Sequence, residues 1–228
     1  TITVRLTATN RNVPALSASA EIRATINTAP VVEFLPIPSP LILRPLPPSQ
    51  PQGIMVNVEA IVSDDGLPET PGALTLKWSQ TGPAGGLSIL PDNSDFAEAR
   101  FTKRGKYVLT LEASDGVASS SKQATVVVHA PPVAGAGANL VVKAPVNAPL
   151  QLDGGVSENG LGEKPAVDQT TFLWEKVSGP GEVKFSDPTA KNARVTLLSP
   201  NVKGTYVLKL TADNGFVTGS STMNIVVS

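Results

Sequence analysis

The sequence predicts an all-β protein built from β-sandwiches in tandem, and three observations indicate that class. Apolar and polar residues alternate along residues 105–113 and 204–212, which is the period of a half-buried strand. The 228 residues include 21 Pro and 19 Gly, which favours strands and turns over helices. An aromatic pair occurs twice, Trp78 with Tyr107 and Trp174 with Tyr206. The sequence therefore predicts two copies of one β-module.

The second copy has the clearest pattern. Tyr206 and Leu208 lie on one face of a predicted strand, after Gly204, which permits a sharp corner. Trp174 lies on an earlier strand, with Phe172 on the same face. A core Trp on one sheet and a corner Tyr entering the other are typical of an immunoglobulin-like sandwich. Cys is absent, so apolar packing alone must hold each module together.

Three units are predicted along the chain. Residues 1–28 match the apolar alternation of residues 105–128 and are interpreted as the last two strands of a truncated copy. The complete modules are predicted at residues 29–130 and 131–228. An isolated hairpin is marginal in water. We therefore expect the apolar face of residues 1–28 to be covered, either by chain upstream of Thr1 or by another subunit.

A Pro-rich stretch covers residues 36–51. Proline cannot donate to a sheet and protects edge strands, so one interpretation is a stiff linker with an edge strand. The other is a polyproline ligand for a partner. Apolar residues between the prolines favour the linker. The prolines are Pro36, Pro38, Pro40, Pro45, Pro47, Pro48 and Pro51.

Composition excludes several function classes. A net charge of −1 would not steer the chain to nucleic acid or to an acidic membrane. We find no apolar run long enough to span a bilayer, no phosphate-binding loop and no His or Cys spacing typical of a metal site. His129 is the single histidine, predicted to be exposed or at a module junction. No catalytic residue and no organic cofactor are predicted, so we do not expect an enzyme.

Calcium is the one ligand that the sequence suggests. Asp64 and Asp65 follow the second predicted strand of the first complete module, and Asp115 follows the sixth. These two loops meet at one end of an immunoglobulin sandwich, where three carboxylates would suit a hard cation. The alternative is turn chemistry, because Asp and Asn bond their own backbone in tight turns. The second module has a weaker set: Glu158, Asn159, Asp213 and Asn214.

Four motifs of the first module carry a resemblance to a family. They are Ser-Asp-Asp-Gly-Leu-Pro at 63–68, Trp-x-x-x-Gly-Pro at 78–83, Gly-Lys-Tyr-Val-Leu-x-Leu at 105–111 and Ala-Ser-Asp-Gly at 113–116. Together they resemble PKD-like immunoglobulin-fold modules, the tandem repeats of large bacterial surface and secreted proteins. In the commonest PKD pattern Trp is followed by Asp-Phe-Gly-Asp-Gly. Here both Trp residues lead into Gly-Pro turns, as in the PKD-like branch.

The resemblance implies extracellular spacing, adhesion or assembly without catalysis. We therefore predict a non-catalytic structural or adhesive module of the cell surface, either a tandem spacer or a subunit of an assembly. Its expected partners are neighbouring modules and a surface glycan or protein. The alternative is a pair of carbohydrate-binding accessory modules of a secreted hydrolase. Sugar platforms need exposed aromatic rings, and Phe216 is the one aromatic residue predicted to be exposed.

Overall fold

The computed structural model describes residues 2–12, 16–44, 53–69, 73–162 and 170–228. Every regular element in these ranges is a β-strand, so the predicted all-β class is confirmed. None of the described residues forms a helix that is long and apolar enough to cross a membrane. Residues 45–51 of the Pro-rich stretch, which include Pro45, Pro47, Pro48 and Pro51, lie outside the described residues.

The chain begins with a hairpin of two exposed strands. β1 (Ile2–Thr9) pairs antiparallel with β2 (Ser17–Ala24) and forms a sheet of its own. Alternation places the apolar side chains of both strands on one face. Leu6 is 72% exposed and Ile22 is 68% exposed, so this face has no cover within the described residues.

The first sandwich contains eight strands in two four-stranded sheets. One sheet has the order β3-β5-β8-β7 and the other the order β4-β10-β9-β6. The strands are β3 (Val31–Phe34), β4 (Leu41–Ile42), β5 (Ile54–Ser63), β6 (Thr75–Thr81), β7 (Leu87–Leu90), β8 (Phe96–Phe101), β9 (Gly105–Ser114) and β10 (Ser119–His129). β4 pairs with β10 in parallel at the sheet edge, between Pro40 and Pro45, so the edge-strand interpretation of this segment is confirmed.

The core of the first sandwich lies between these sheets and contains the predicted aromatic pair. Tyr107 is fully buried and Trp78 is 4% exposed. The Tyr107 ring meets Phe101 edge to face, with ring centroids 5.1 Å apart, and Trp78 stacks on Phe34. Aromatic pairs of this geometry add to the stability that burial of their surface already gives.

The second sandwich repeats this plan with nine strands. Its sheets have the orders β12-β19-β18-β15, β13-β17-β16 and β11-β14. The strands are β11 (Val133–Gly135), β12 (Leu140–Val142), β13 (Leu150–Gln151), β14 (Gly155–Glu158), β15 (Thr171–Ser178), β16 (Val183–Phe185), β17 (Arg194–Leu197), β18 (Gly204–Asp213) and β19 (Thr218–Val227). Trp174 and Tyr206 are buried in its core, as predicted.

One strand of the first sandwich is divided in the second. The long strand β5 corresponds to β13 and β14, which are separated at residues 152–154. A Cβ atom on Gly154 would lie 2.4 Å from the Lys191 carbonyl oxygen and 2.9 Å from a ring carbon of Trp174. The backbone therefore approaches the core Trp closely at this point, and only glycine leaves enough room.

The three hairpins share one register. Tyr107 pairs with Val126 in the first sandwich, and Tyr206 pairs with Ile225 in the second. Ile2 pairs with Ala24 in the terminal hairpin, at the position that the sequence comparison assigned to the Tyr. β1 and β2 therefore have the pairing of the last two strands of a sandwich.

Candidate functional site at the module junctions

Polar and aromatic side chains meet at the two junctions between successive modules of the chain. We define the first junction as residues 27–30 with the end loops 64–67 and 115–120 of the first sandwich. The second junction is residues 129–132 with the end loops 158–162 and 214–219 of the second sandwich. Both pair a connecting segment with the two loops that an immunoglobulin sandwich brings together at one end.

The first junction is held by acidic side chains. The Asn27 side-chain amide donates to Asp115 Oδ2 at 2.9 Å. The backbone N–H and hydroxyl of Thr28 donate to Asp65 Oδ2 at 3.0 and 2.8 Å. The Ser120 hydroxyl donates to the carbonyl oxygen of Pro30. Two carboxylates and one hydroxyl therefore hold the connecting segment against the sandwich.

The same carboxylates also close their own turns. Asp115 Oδ1 accepts from the backbone N–H groups of Val117 and Ala118 at 2.8 and 2.7 Å. These two bonds, followed by the bond from Asn27, hold the pKa of Asp115 below its ordinary value. The pKa of Asp65 is also lowered, above all by the Thr28 hydroxyl. Hydrogen bonds that stabilise the charged form are the cause in both cases.

The three residues predicted as calcium ligands lie in these two loops. Asp65 and Asp115 contact neighbouring residues of the connecting segment, and Asp64 Oδ2 accepts from the Gly66 N–H at 3.0 Å. In the described part of the chain, no three His, Cys, Asp or Glu side chains are grouped as a metal would require. The carboxylate oxygens accept N–H and O–H groups, as turn chemistry requires. Calcium binding stays a prediction.

The second junction replaces the carboxylate by an amide. Asn214 Nδ2 donates to the carbonyl oxygens of Ala130 and Asn159, at 3.1 and 2.9 Å. Asn214 Oδ1 accepts from the N–H groups of Phe216 and Val217 and so caps its own turn. The Ala130 N–H donates to the Gly160 carbonyl at 2.7 Å. Asn214 is only 1% exposed, so these bonds are shielded from water.

His129 and Phe216 form an aromatic contact at this junction. Their rings stack with centroids 4.1 Å apart and 20° between the planes. The Gly162 N–H donates to His129 Nδ1 at 2.9 Å. His129 is 5% exposed, so its prediction as a junction residue is confirmed and it is buried there. An ion pair between Arg104 and Glu158, 3.1 Å long, joins the two sandwiches at the same place.

Two glycines allow the close approach at the second junction. A Cβ atom on Gly160 would lie 1.9 Å from the Ala130 carbonyl oxygen, and its φ of +73° is one that L side chains rarely adopt. A Cβ atom on Gly219 would lie 1.9 Å from the Pro132 carbonyl oxygen. In the first sandwich Ser120 takes the corresponding place and bonds Pro30. This Ser-to-Gly difference between the copies is the sequence signal that could have identified Gly219 as a junction residue.

The exposed aromatic residues differ from the prediction in one respect. Phe216 is 49% exposed as expected, although one face of its ring is occupied by His129. Phe96 is 47% exposed, so Phe216 is not alone, and that part of the prediction is wrong. Phe96 begins β8 and points away from the core because the strand alternates its faces.

Comparisons with known proteins agree with this architecture. The family model "K319L-like, PKD domain" matches residues 136–227. The N-terminal eight-Ig-domain fragment of Down Syndrome Cell Adhesion Molecule has a TM-score of 0.58 and 15% identity, over 99% of this chain and 28% of that chain. At this identity the likeness shows the fold.

Two further solved structures are similar at lower TM-scores. An I-band fragment of titin has a TM-score of 0.45 and 17% identity, over 90% of this chain and 66% of that chain. The PKD domain of human KIAA0319 has a TM-score of 0.34 and 22% identity, over 43% of this chain and 81% of that domain. The chain thus spans less than two thirds of the DSCAM and titin fragments. Residues 136–227 are thus similar to the K319L-like PKD domain, and the chain as a whole has the fold of tandem immunoglobulin-like β-sandwiches.

Proposed function

We propose that this chain is a non-catalytic structural or adhesive module, a tandem spacer that holds its neighbours at a fixed separation. The observation that carries the proposal is the second junction. There Asn214 and Gly160 make hydrogen bonds to Ala130 of the connecting segment, and Phe216 stacks on its His129. A flexible linker would make no such contacts.

The proposal includes the units and their location. We propose that the modules are residues 29–130 and 131–228, and that residues 1–28 belong to a further copy. Tandem Ig domains also make up the DSCAM fragment, whose name describes a cell adhesion molecule. An extracellular or cell-surface location, with neighbouring modules as the first partners, is consistent with this architecture. Whether the chain is a spacer alone or a subunit of a surface assembly depends on what covers β1 and β2.

Single-molecule stretching tests the spacer role. The chain is held between DNA handles at its two ends and pulled until the modules unfold. We expect two separate unfolding events, each releasing roughly 300 Å of chain, because a module of about 100 residues extends at 3.3–3.6 Å per residue. One event that released roughly twice that length, or smooth extension without events, would contradict two independently stable modules.

The carbohydrate-binding alternative depends on an exposed aromatic platform. His129 occupies one face of the Phe216 ring, which favours a role for Phe216 in the junction. Glycan-array binding that disappears in a Phe216→Ala variant would support the alternative. In that case Phe96→Ala, which changes an exposed ring outside the junction, is the matched control.

The calcium prediction has a direct test. Thermal unfolding of the whole chain is compared in chelator and in millimolar calcium. A ligand that binds only the folded state raises the melting temperature with concentration. A melting temperature that is the same in both conditions would end the calcium interpretation of Asp64, Asp65 and Asp115.

A further inference from the structure

Asp115 and Asn214 occupy equivalent positions in the two sandwiches and cap equivalent turns, but their side chains differ. Asp115 begins the turn after β9, and Asn214 begins the turn after β18. In each residue the Oδ1 atom accepts two backbone N–H groups of the following turn. Asp and Asn perform this capping equally well. Turn chemistry therefore gives no reason for the two copies to differ.

The difference lies in the other terminal atom, which faces the connecting segment. Asp115 Oδ2 can only accept, and it faces the Asn27 amide donor at 2.9 Å. Asn214 Nδ2 can only donate, and it faces the carbonyl oxygens of Ala130 and Asn159. The polarity of the contact is thus reversed between the two junctions.

We propose that this residue determines which connecting segment each sandwich accepts, and so encodes the order of the modules. Asn214 requires a segment that presents a backbone carbonyl, as Ala130 does. Asp115 requires a segment that presents a side-chain donor, as Asn27 does. The inference rests on the proposed spacer function, because module order matters only where junctions hold a defined geometry.

We expect Asn214→Asp to disturb its junction more than Asp115→Asn disturbs the other. Asn214→Asp would direct a carboxylate oxygen at two carbonyl oxygens about 3 Å away, with no donor between them in a buried position. Asp115→Asn would meet Asn27, whose Oδ1 is buried and makes no hydrogen bond, so turning the Asn27 amide restores a donor–acceptor pair. Position 214 therefore does not tolerate the exchange of Asn for Asp, whereas position 115 tolerates the exchange of Asp for Asn because the Asn27 amide can turn.

Distance measurements across the second junction test the proposal. The chain contains no Cys, so Ser88→Cys and Lys184→Cys, at two exposed strand positions, provide the only spin-label sites. Double electron–electron resonance then gives the distribution of distances between the two sandwiches. We expect one narrow distance in the parent protein, and its loss in the Asn214→Asp variant at about pH 7, where a carboxyl is ionised.

A charge-matched variant separates selectivity from net charge. Asp213→Asn combined with Asn214→Asp leaves the formal charge unchanged and moves the carboxylate by one residue. Asp213→Asn alone is the control, because Asp213 Oδ1 accepts from the Gly215 N–H within its own turn, a bond that an Asn side chain can also accept. We expect the narrow distance to be kept in the control and lost in both variants that contain Asn214→Asp.

Acidification of the Asn214→Asp variant tests whether the missing donor is the cause of the lost distance, because a general packing defect would not be reversed by protonation. The carboxyl introduced at position 214 regains a donor when it is protonated, so near pH 4 the distance distribution of the variant should match that of the parent protein at the same pH. The parent protein is the reference because the Gly162–His129 bond of this junction also depends on protonation. Asn214→Ser, which retains an acceptor for the turn but lacks the amide donors, covers the case in which the acidic variant does not fold. We expect this variant to lose the narrow distance at both pH values.

The outcomes distinguish the two proposals. If Asn214→Asp and Asn214→Ser both keep the parent distance distribution at about pH 7, the selective role of Asn214 is overturned while the spacer function stands. If the parent protein itself gives a broad distribution, the spacer function fails first.

Discussion

The two corner tyrosines are equivalent by position but differ in their hydrogen bonds. The Tyr107 hydroxyl lies 2.7 Å from the Lys103 carbonyl oxygen and 3.2 Å from the Gly86 carbonyl oxygen, and can donate to either. The Tyr206 hydroxyl is buried and has no hydrogen-bond partner within the described part of the chain. A buried polar group without a partner costs free energy, whereas a bonded one contributes modestly. The two rings therefore pack alike, but only the Tyr107 hydroxyl is hydrogen-bonded among the described residues.

Removal of the hydroxyl should have different consequences in the two sandwiches. Tyr107→Phe should lower the free energy of unfolding of the first sandwich by about 0.5–1.5 kcal/mol, because the bond from the hydroxyl to the Lys103 carbonyl is lost, whereas the Gly86 carbonyl keeps the Thr102 N–H as a donor. Tyr206→Phe should leave the second sandwich unchanged or slightly more stable. Hydrogen exchange of buried amides in β9 and in β18 reports the two sandwiches separately. Equal losses in the two variants would contradict this account.

Single residues also set the limit of what the sequence predicts. Trp78, Trp174 and the two Tyr residues could be assigned to the core because large aromatic rings recur at fixed positions on alternating strands. The burial of His129 could not be predicted, because the ring that covers it, Phe216, lies in the other sandwich. The sequence also did not predict that the Asn214 amide donates to the connecting segment, since Asp and Asn are interchangeable in turns.

Among the elements, the strand faces and the hairpin registers followed from period-two alternation, which is strong wherever one face is buried. The division of the long strand into β13 and β14 did not. It depends on the close approach of Gly154 to Trp174, which is a tertiary contact. The sequence predicted which loops meet at the junctions, because an immunoglobulin topology determines this. It did not predict which atoms of those loops form hydrogen bonds.

The connecting segment of the first junction should respond to acid. The pKa of Asp65 is lowered from 3.8, above all by the Thr28 hydroxyl. The pKa of Asp115 is lowered from 3.8 by the turn N–H groups of Ala118 and Val117 and then by Asn27. A lowered folded pKa contributes stability that is complete above the unfolded pKa and is lost as pH falls through the folded pKa. These contacts should therefore be intact at neutral pH and open only below 3.8.

Nuclear magnetic resonance can follow this opening. The Asn27 side-chain amide should report Asp115 and the Thr28 backbone amide should report Asp65, each with a midpoint below 3.8. In Asp115→Asn the Asn27 response should disappear while that of Thr28 remains. A midpoint above 3.8 in the parent protein would contradict the hydrogen-bond origin of the lowered pKa.

The close approach of the second connecting segment predicts a size limit at Gly219. Gly219→Ala places a Cβ atom 1.9 Å from the Pro132 carbonyl oxygen, so the segment must move away. We expect the Gly162 and Ala130 amides, which donate within this junction, to lose protection from hydrogen exchange. Ser120→Ala, at the corresponding position of the first sandwich, removes one bond without a clash and serves as the control. Unchanged protection in Gly219→Ala would show that the segment is not held there.

At the scale of the whole molecule, rigidity comes from two sources. Each sandwich has its own apolar core, one around Trp78 and Tyr107 and the other around Trp174 and Tyr206. The second junction then joins the sandwiches by backbone bonds, a buried amide and the Arg104–Glu158 ion pair. The exposed ion pair contributes little by itself, so the buried Asn214 contacts should determine the stiffness.

Residual dipolar couplings test the central claim most directly, namely that the two sandwiches are joined as one rigid unit. Backbone N–H couplings are measured for the whole chain in a weakly aligning medium. The account predicts that residues 29–130 and 131–228 fit a single alignment tensor in the orientation of the structure. Two tensors of clearly different magnitude would mean that the sandwiches move independently, and the proposed spacer would then be a flexible chain of modules.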